Sequence, residues 1–206
     1  MTPMARRDYK EFAVNEIHHA FNRGNDKMDI FRDDEDYHFF LYRLEEALYP
    51  SGESRGVKGR HMRRALPANS FSLIAFCLMP NHFHLLILQK TDLSISALML
   101  KVLTGYSKYF NKKYNRVGSL FQDQYKTTYV QDNTQLLHTS AYIHNNPLTD
   151  GLTISPETYP YSSFCEYLGG EARISQPTTV LEQFPNAEAY RDFVAESFEV
   201  TKRNKE

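Results

Sequence analysis

The run Met79-Pro80-Asn81-His82-Phe83-His84-Leu85-Leu86-Ile87 restricts the fold of this chain more than any other stretch. It is rich in strand formers, and in a β-strand residues i and i+2 leave the same face, so His82 and His84 present two imidazoles side by side. Apolar residues on both faces mark a buried strand. Imidazoles on such a strand need partners there, which a divalent cation supplies. Simple packing is the competing reading of a His-x-His pair taken alone.

The surrounding pattern places this strand in a sheet. A first strand fits Val14 to Phe21, closing in the turn residues Asn22-Arg23-Gly24-Asn25. Asp33 or Asp34 can cap a following helix whose Phe39, Phe40, Leu44, Ala47 and Leu48 recur near helical spacing. Strands over Ser70 to Leu78 and Phe83 to Gln89 are joined hairpin fashion by Met79-Pro80-Asn81. An amphipathic helix runs from Ser94 or Ser96 to about Tyr114, a strand fits Tyr125 to Val130, and Asp132 or Asn133 can cap a helix that stops before Pro147. The order predicts an α+β, ferredoxin-like (RRM-like) antiparallel sheet with helices on one face, an extra helix carrying Tyr142, and a C-terminal extension. The core domain is expected over residues 1–150, with a basic loop insertion at about 50–69. Residues 151–206 are expected to wrap it and to end in one charged helix.

Composition narrows the function. With 206 residues and 41% hydrophobic content the chain can build one real core. It has no apolar run of membrane-spanning length and no signal-like N-terminal stretch, so a cytoplasmic protein is expected. Cys77 and Cys165 lack a Cys-x-x-Cys pattern and are both expected to be buried small hydrophobes. The net charge of -1 alone does not announce a nucleic-acid partner. Two local patches survive that total, Arg55, Lys58, Arg60, Arg63 and Arg64 in one and Lys101, Lys108, Lys112, Lys113, Arg116 and Lys126 in another, with ordinary solvated faces as the competing reading.

Two same-face histidines leave a cation short of ligands. Tyr142 and Asn146 lie four residues apart, one turn above the other on a helix face, so a phenol and an amide oxygen could meet the same site. Two imidazoles and an amide oxygen leave positions open for water and phosphate oxygens, which suits Mg²⁺ or Mn²⁺ better than a closed zinc site. A tyrosine beside such a metal can attack phosphorus, and the resulting phosphotyrosine ester can be reversed by a free hydroxyl. Tyr106, Tyr109, Tyr114, Tyr125 and Tyr129 compete with Tyr142 for that role.

In order along the chain, Phe21-Asn22-Arg23-Gly24-Asn25, Met79 to Leu86, Leu103-Thr104-Gly105-Tyr106-Ser107-Lys108-Tyr109-Phe110-Asn111, Gly118 to Lys126, Tyr142-Ile143-His144-Asn145-Asn146-Pro147 and Tyr159-Pro160-Tyr161-Ser162-Ser163 resemble the IS200-like Y1 transposases, and within them the REP-associated tyrosine transposases. The resemblance covers about residues 14 to 170. It implies an HUH-class enzyme that nicks and rejoins single-stranded, hairpin-containing DNA. By the resemblance His82 and His84 are metal ligands, Tyr142 is the nucleophile of a 5′-phosphotyrosine link, and Asn146 is the helix-borne ligand. The best-known insertion-sequence enzymes carry a glutamine where Asn146 stands; Asn is one methylene shorter, so a bridging water is an alternative to direct ligation. His144 points to another face and reads as structural. DNA contacts are implied for Arg23, Arg55, Lys58, Arg60, Arg63, Arg64, Lys101, Lys108, Lys112, Arg116 and Lys126, with Tyr106 and Tyr109 as stacking platforms. A monomer or homodimer is expected. The rival readings are a binding-only regulator on the same fold and a small zinc hydrolase, the latter short of a third strong ligand.

Overall fold

The computed structural model describes residues 13–50, 65–170 and 174–203. The basic residues Arg55, Lys58, Arg60, Arg63 and Arg64 fall outside these. Four strands, β1 (Ile17–Arg23), β2 (Phe71–Met79), β3 (His82–Gln89) and β4 (Lys126–Val130), form one sheet in the order β2-β3-β1-β4. All pairings are antiparallel. With α1 (Asp34–Leu48) between β1 and β2 and α2 (Ile95–Lys113) between β3 and β4, this is the expected α+β, ferredoxin-like order.

Helix starts follow local chemistry. The Asp33 side chain accepts from the Asp36 backbone N–H at 3.1 Å, with acids filling the first turn of α1 where the helix dipole favours them. Ser94 accepts from the Ser96 N–H at 3.1 Å at the start of α2. Asp132 accepts from the Gln135 N–H at 2.8 Å and begins α3 (Asn133–Thr149).

Alternation along β3 divides the molecule. Phe83, Leu85 and Ile87 face α1 and α2, where they join Phe40, Leu44, Leu98, Val102, Tyr106 and Phe110 in one buried cluster. Leu86 faces the other way, into a second cluster with Ala75, Cys77, Val130, Ala141, Ile143, Phe164, Tyr167 and Tyr190. Helices thus cover both faces: α1 and α2 on one, and α3 on the other with the short α4 (Phe164–Tyr167) and α5 (Thr178–Leu181) and the C-terminal α6 (Ala187–Arg203). The segment after α3 runs along the outer edge of β2. Tyr161 O accepts from the Leu78 N–H, Ser163 N–H donates to Phe76 O, and Gln176 N–H donates to Leu73 O, so that edge is not left unpaired.

Three expectations change. Strand β1 continues to Arg23 instead of turning at Asn22, because the chain reverses only at Gly24, where a Cβ would stand 2.2 Å from Met28 O. Pro147 lies inside α3 and does not stop it. The missing N–H costs one bond near the helix end, where tertiary bonds hold the backbone: Asn145 Nδ2 donates to Val194 O at 2.8 Å, and the His144 ring is bonded on both sides. Cys165 is exposed, whereas Cys77 is buried as expected.

Candidate active site

Cross-strand partners share a face, so register alone assembles the site. His82 and His84 on β3 stand opposite Arg23 and Phe21 on β1, and Lys126 on β4 is opposite Phe21. His19, two residues before Phe21, lies on the same face. Helix α3 crosses this face and brings in Tyr142.

The geometry is close. Ring centroids of His82 and His84 are 5.1 Å apart. Tyr142 stands edge-on to His84 at 5.6 Å and to His19 at 6.0 Å. His19 Nε2 lies 2.8 Å from His84 Nδ1, and His82 Nδ1 lies 2.6 Å from Asn81 Oδ1. Tyr142 itself is 50% exposed, so its hydroxyl is open to an incoming strand. None of the competing tyrosines shares this position. Tyr106, Tyr109 and Tyr114 are on or beside α2, beyond the sheet; Tyr125 bonds Ser96, and Tyr129 packs on His18.

Burial governs the charge of the imidazoles. It alone lowers His19 to about 4, and together with Arg23, against Asp150, it brings His82 to about 4. His84 falls well below its usual value, first from burial and then from His19, His82 and Arg23. All three rings are therefore neutral near pH 7, as metal ligation requires of imidazole. An amide oxygen has no proton, so Asn81 Oδ1 draws the proton of His82 to Nδ1 and leaves the lone pair on Nε2.

Asn146 lies one turn beyond Tyr142 and is buried; its Nδ2 donates to Tyr142 O at 2.8 Å, which leaves Oδ1 as its available acceptor. Among the described residues no group of three or more His, Cys, Asp or Glu side chains is arranged to hold a metal ion. The imidazole donors are His82 and His84, both neutral, and two such donors leave a divalent cation's other positions to oxygen ligands from water or phosphate; they do not make a closed four-ligand zinc site.

The remaining sequence candidates separate. Arg23 and Lys126 share the histidine face. Lys101, Lys108 and Lys112 sit on α2 on the opposite side of the sheet; Lys108 and Lys112 are exposed, and Lys108 borders a groove with Asn111, Phe121 and Tyr125. Arg116 follows α2, donating to Asn111 Oδ1 at 3.2 Å. Tyr106 is no stacking platform: it is wholly buried between α1 and α2 and donates its hydroxyl to Ile30 O. Tyr109 is stacked on Phe39 at 3.9 Å and donates to Asp36. Lys113 is also withdrawn from the basic patch, lying 2.7, 3.0 and 2.9 Å from Asp33, Glu35 and Asp36. His144 is structural as read, buried between Tyr190 OH at 2.8 Å and Ser163 Oγ at 2.9 Å.

His19 escaped the sequence reading. Its signal is the spacing from Phe21 on a strand, but only the β1–β3 register reveals that it meets His84.

Known proteins resemble this chain in sequence and in fold. Over 105 residues the chain is 29% identical to a protein of Haemophilus influenzae described as a REP-associated tyrosine transposase; the match covers 46% of this chain and 59% of that protein, so the chain spans less than two thirds of that relative. A solved structure of a REP-associated tyrosine transposase bound to a REP hairpin superposes with a TM-score of 0.57 at 16% identity, covering 82% of this chain and 99% of the other. At that identity the superposition speaks for the fold. The family described as IS200-like transposases matches residues 35–146, which contain β2, β3, α2, β4 and the Tyr142 turn of α3. Since that match spans more than half the chain and takes in both histidines and the tyrosine, the protein belongs to the IS200-like transposase family.

Proposed function

We propose that the protein nicks and rejoins single-stranded DNA through a covalent 5′-phosphotyrosine intermediate on Tyr142, acting in the cytoplasm on strands that carry a hairpin. The observation that carries this reading is the exposed phenol of Tyr142 edge-on to His84 at 5.6 Å. The Tyr142 oxygen attacks the scissile phosphorus, and the bond from phosphorus to the 3′ oxygen breaks. The phenol loses its proton and the leaving 3′ oxygen gains one. A free 3′ hydroxyl reverses the step, and because one phosphoester replaces another, no nucleotide hydrolysis is needed.

His82 and His84, with Asn146 directly or through water, would hold Mg²⁺ or Mn²⁺, which when bound supplies Lewis-acid polarisation of a phosphate oxygen. Arg23, opposite His82, is suited to a phosphate oxygen at the same place. Lys126 extends positive charge along the histidine face, while Lys101, Lys108, Lys112 and Arg116 would hold DNA at the α2 side. The related structure's hairpin supports the hairpin as substrate here.

The test is incubation with hairpin-bearing single-stranded DNA and Mn²⁺ or Mg²⁺, followed by denaturing electrophoresis. A covalent band that disappears in Tyr142→Phe supports the reading. Hairpin binding with no cut strand under either metal would replace it with the binding-only regulator.

A further inference from the structure

We propose that His19 is a positioning residue that fixes the tautomer of His84, holding the His84 proton on Nδ1 so that the Nε2 lone pair is free for the divalent cation. This inference rests on the metal reading above.

The geometry leaves few choices. His19 Nε2 and His84 Nδ1 are 2.8 Å apart, a hydrogen bond between two nitrogens that only one proton can occupy. Both rings are buried, at 9% and 6% exposure, with centroids 5.0 Å apart and 27° between planes, so the two nitrogens meet edge to edge away from solvent. If His84 donates, its second nitrogen carries a lone pair and can ligate. If His19 donates, His84 carries its proton on Nε2, and that nitrogen cannot ligate.

The neighbouring ligand shows how such a choice is made. His82 is held by Asn81 Oδ1 at 2.6 Å, an atom that can only accept. For His84 the corresponding partner is another imidazole, brought there by β1. An accepting His19 keeps its own proton on Nδ1 and places both candidate ligands in the same tautomer. Outer partners of this kind, when removed, typically lower metal affinity about 10- to 100-fold.

Two measurements test the assignment. Long-range ¹H–¹⁵N spectra of the ¹⁵N-labelled, metal-free protein at neutral pH report which nitrogen of each histidine carries hydrogen. The expected result is His84 protonated on Nδ1; protonation on Nε2 would overturn the proposal. Mn²⁺ titration followed by electron paramagnetic resonance then compares wild type with His19→Phe, which keeps a ring but accepts no hydrogen bond, and His19→Gln, whose Oε1 can accept at similar reach. The phenylalanine variant is expected to bind Mn²⁺ about 10- to 100-fold more weakly, and the glutamine variant within a few-fold of wild type. Equal affinity in all three would overturn the proposal. Wild type that binds no Mn²⁺ would instead sink the metal reading, while the spectrum still decides the shared proton. If His19→Phe does not fold on thermal melting, the wild-type spectrum decides, supported or opposed by His84's protonation in His19→Gln.

Discussion

Lys113→Met separates the charges that hold this fold from those free to meet DNA. The Lys113 ammonium lies within hydrogen-bond distance of Asp33 and Asp36, at 2.7 and 2.9 Å, and of Tyr109 OH at 3.1 Å. Asp36 is fully buried and also accepts from Tyr114 OH at 2.7 Å and the Arg32 N–H at 2.9 Å. These acids raise the Lys113 pKa against its desolvation, and the same carboxylates raise Tyr114 beyond the effect of burial. Removing one partner of a buried ion pair costs about 3–5 kcal/mol. Here the Lys113 side chain is 20% exposed and Asp36 keeps three donors, while Asp33 and Glu35 are solvated and contribute at most about 1 kcal/mol each. The expected loss is therefore about 2–3 kcal/mol, or roughly 4–12 °C in melting temperature for a chain of this size. Urea unfolding at pH 7 measures it, with exposed Lys112→Met as the control expected within about 0.5 kcal/mol of wild type. Hairpin affinity and its salt dependence should be unchanged in Lys113→Met measured well below its melting temperature. Equal stability of the two variants, or a reduced salt slope for Lys113→Met, would mean that Lys113 is not committed to these carboxylates.

The other predictions concern particular groups. Lys108→Ala should reduce the slope of log affinity against log salt by about 1, as loss of a phosphate contact does, which fluorescence anisotropy over a salt series checks. Tyr106→Phe should cost about 1–3 kcal/mol by leaving the Ile30 carbonyl without its donor, with no change in hairpin affinity. For pH, burial lowers His144 from 6.5 to about 3 and His19 and His82 to about 4. Between those values and 6.5 the unfolded chain binds protons that the folded chain does not, so stability is full above about 6.5 and is lost as pH falls. Well inside that window each histidine contributes about 1.4 kcal/mol per pH unit; equal urea midpoints at pH 7 and pH 5 would contradict this.

Local chemistry made much of the fold legible. The caps at Asp33, Ser94 and Asp132 are each one of the two residues the sequence offers, and the hairpin link falls at Pro80–Asn81 inside the expected Met79–Asn81, because each depends on only a few neighbours in the chain. His82 and His84 share a face for the same reason. The rest depended on partners distant in sequence. Tyr106 carries the same polar tip as an exposed tyrosine, and only the packing of α1 on α2 aims it at Ile30. Lys113 belongs to a basic run until α1 folds Asp33, Glu35 and Asp36 against it. His19 joins the histidine face through the register that sets β1 beside β3, and Pro147 stays helical because α6 and Ser163 hold the preceding turn from outside the helix.

Of the 14 tyrosines, Tyr142 is the one proposed to form the bond to DNA. Trapping the reaction on a hairpin-bearing single strand, digesting the complex and locating the nucleotide-modified peptide by mass spectrometry tests this directly. One modified peptide is expected, with a 5′-phosphate ester on Tyr142. Attachment to any other tyrosine, Tyr125 and Tyr129 included, or strand cleavage that leaves no residue esterified, would contradict it.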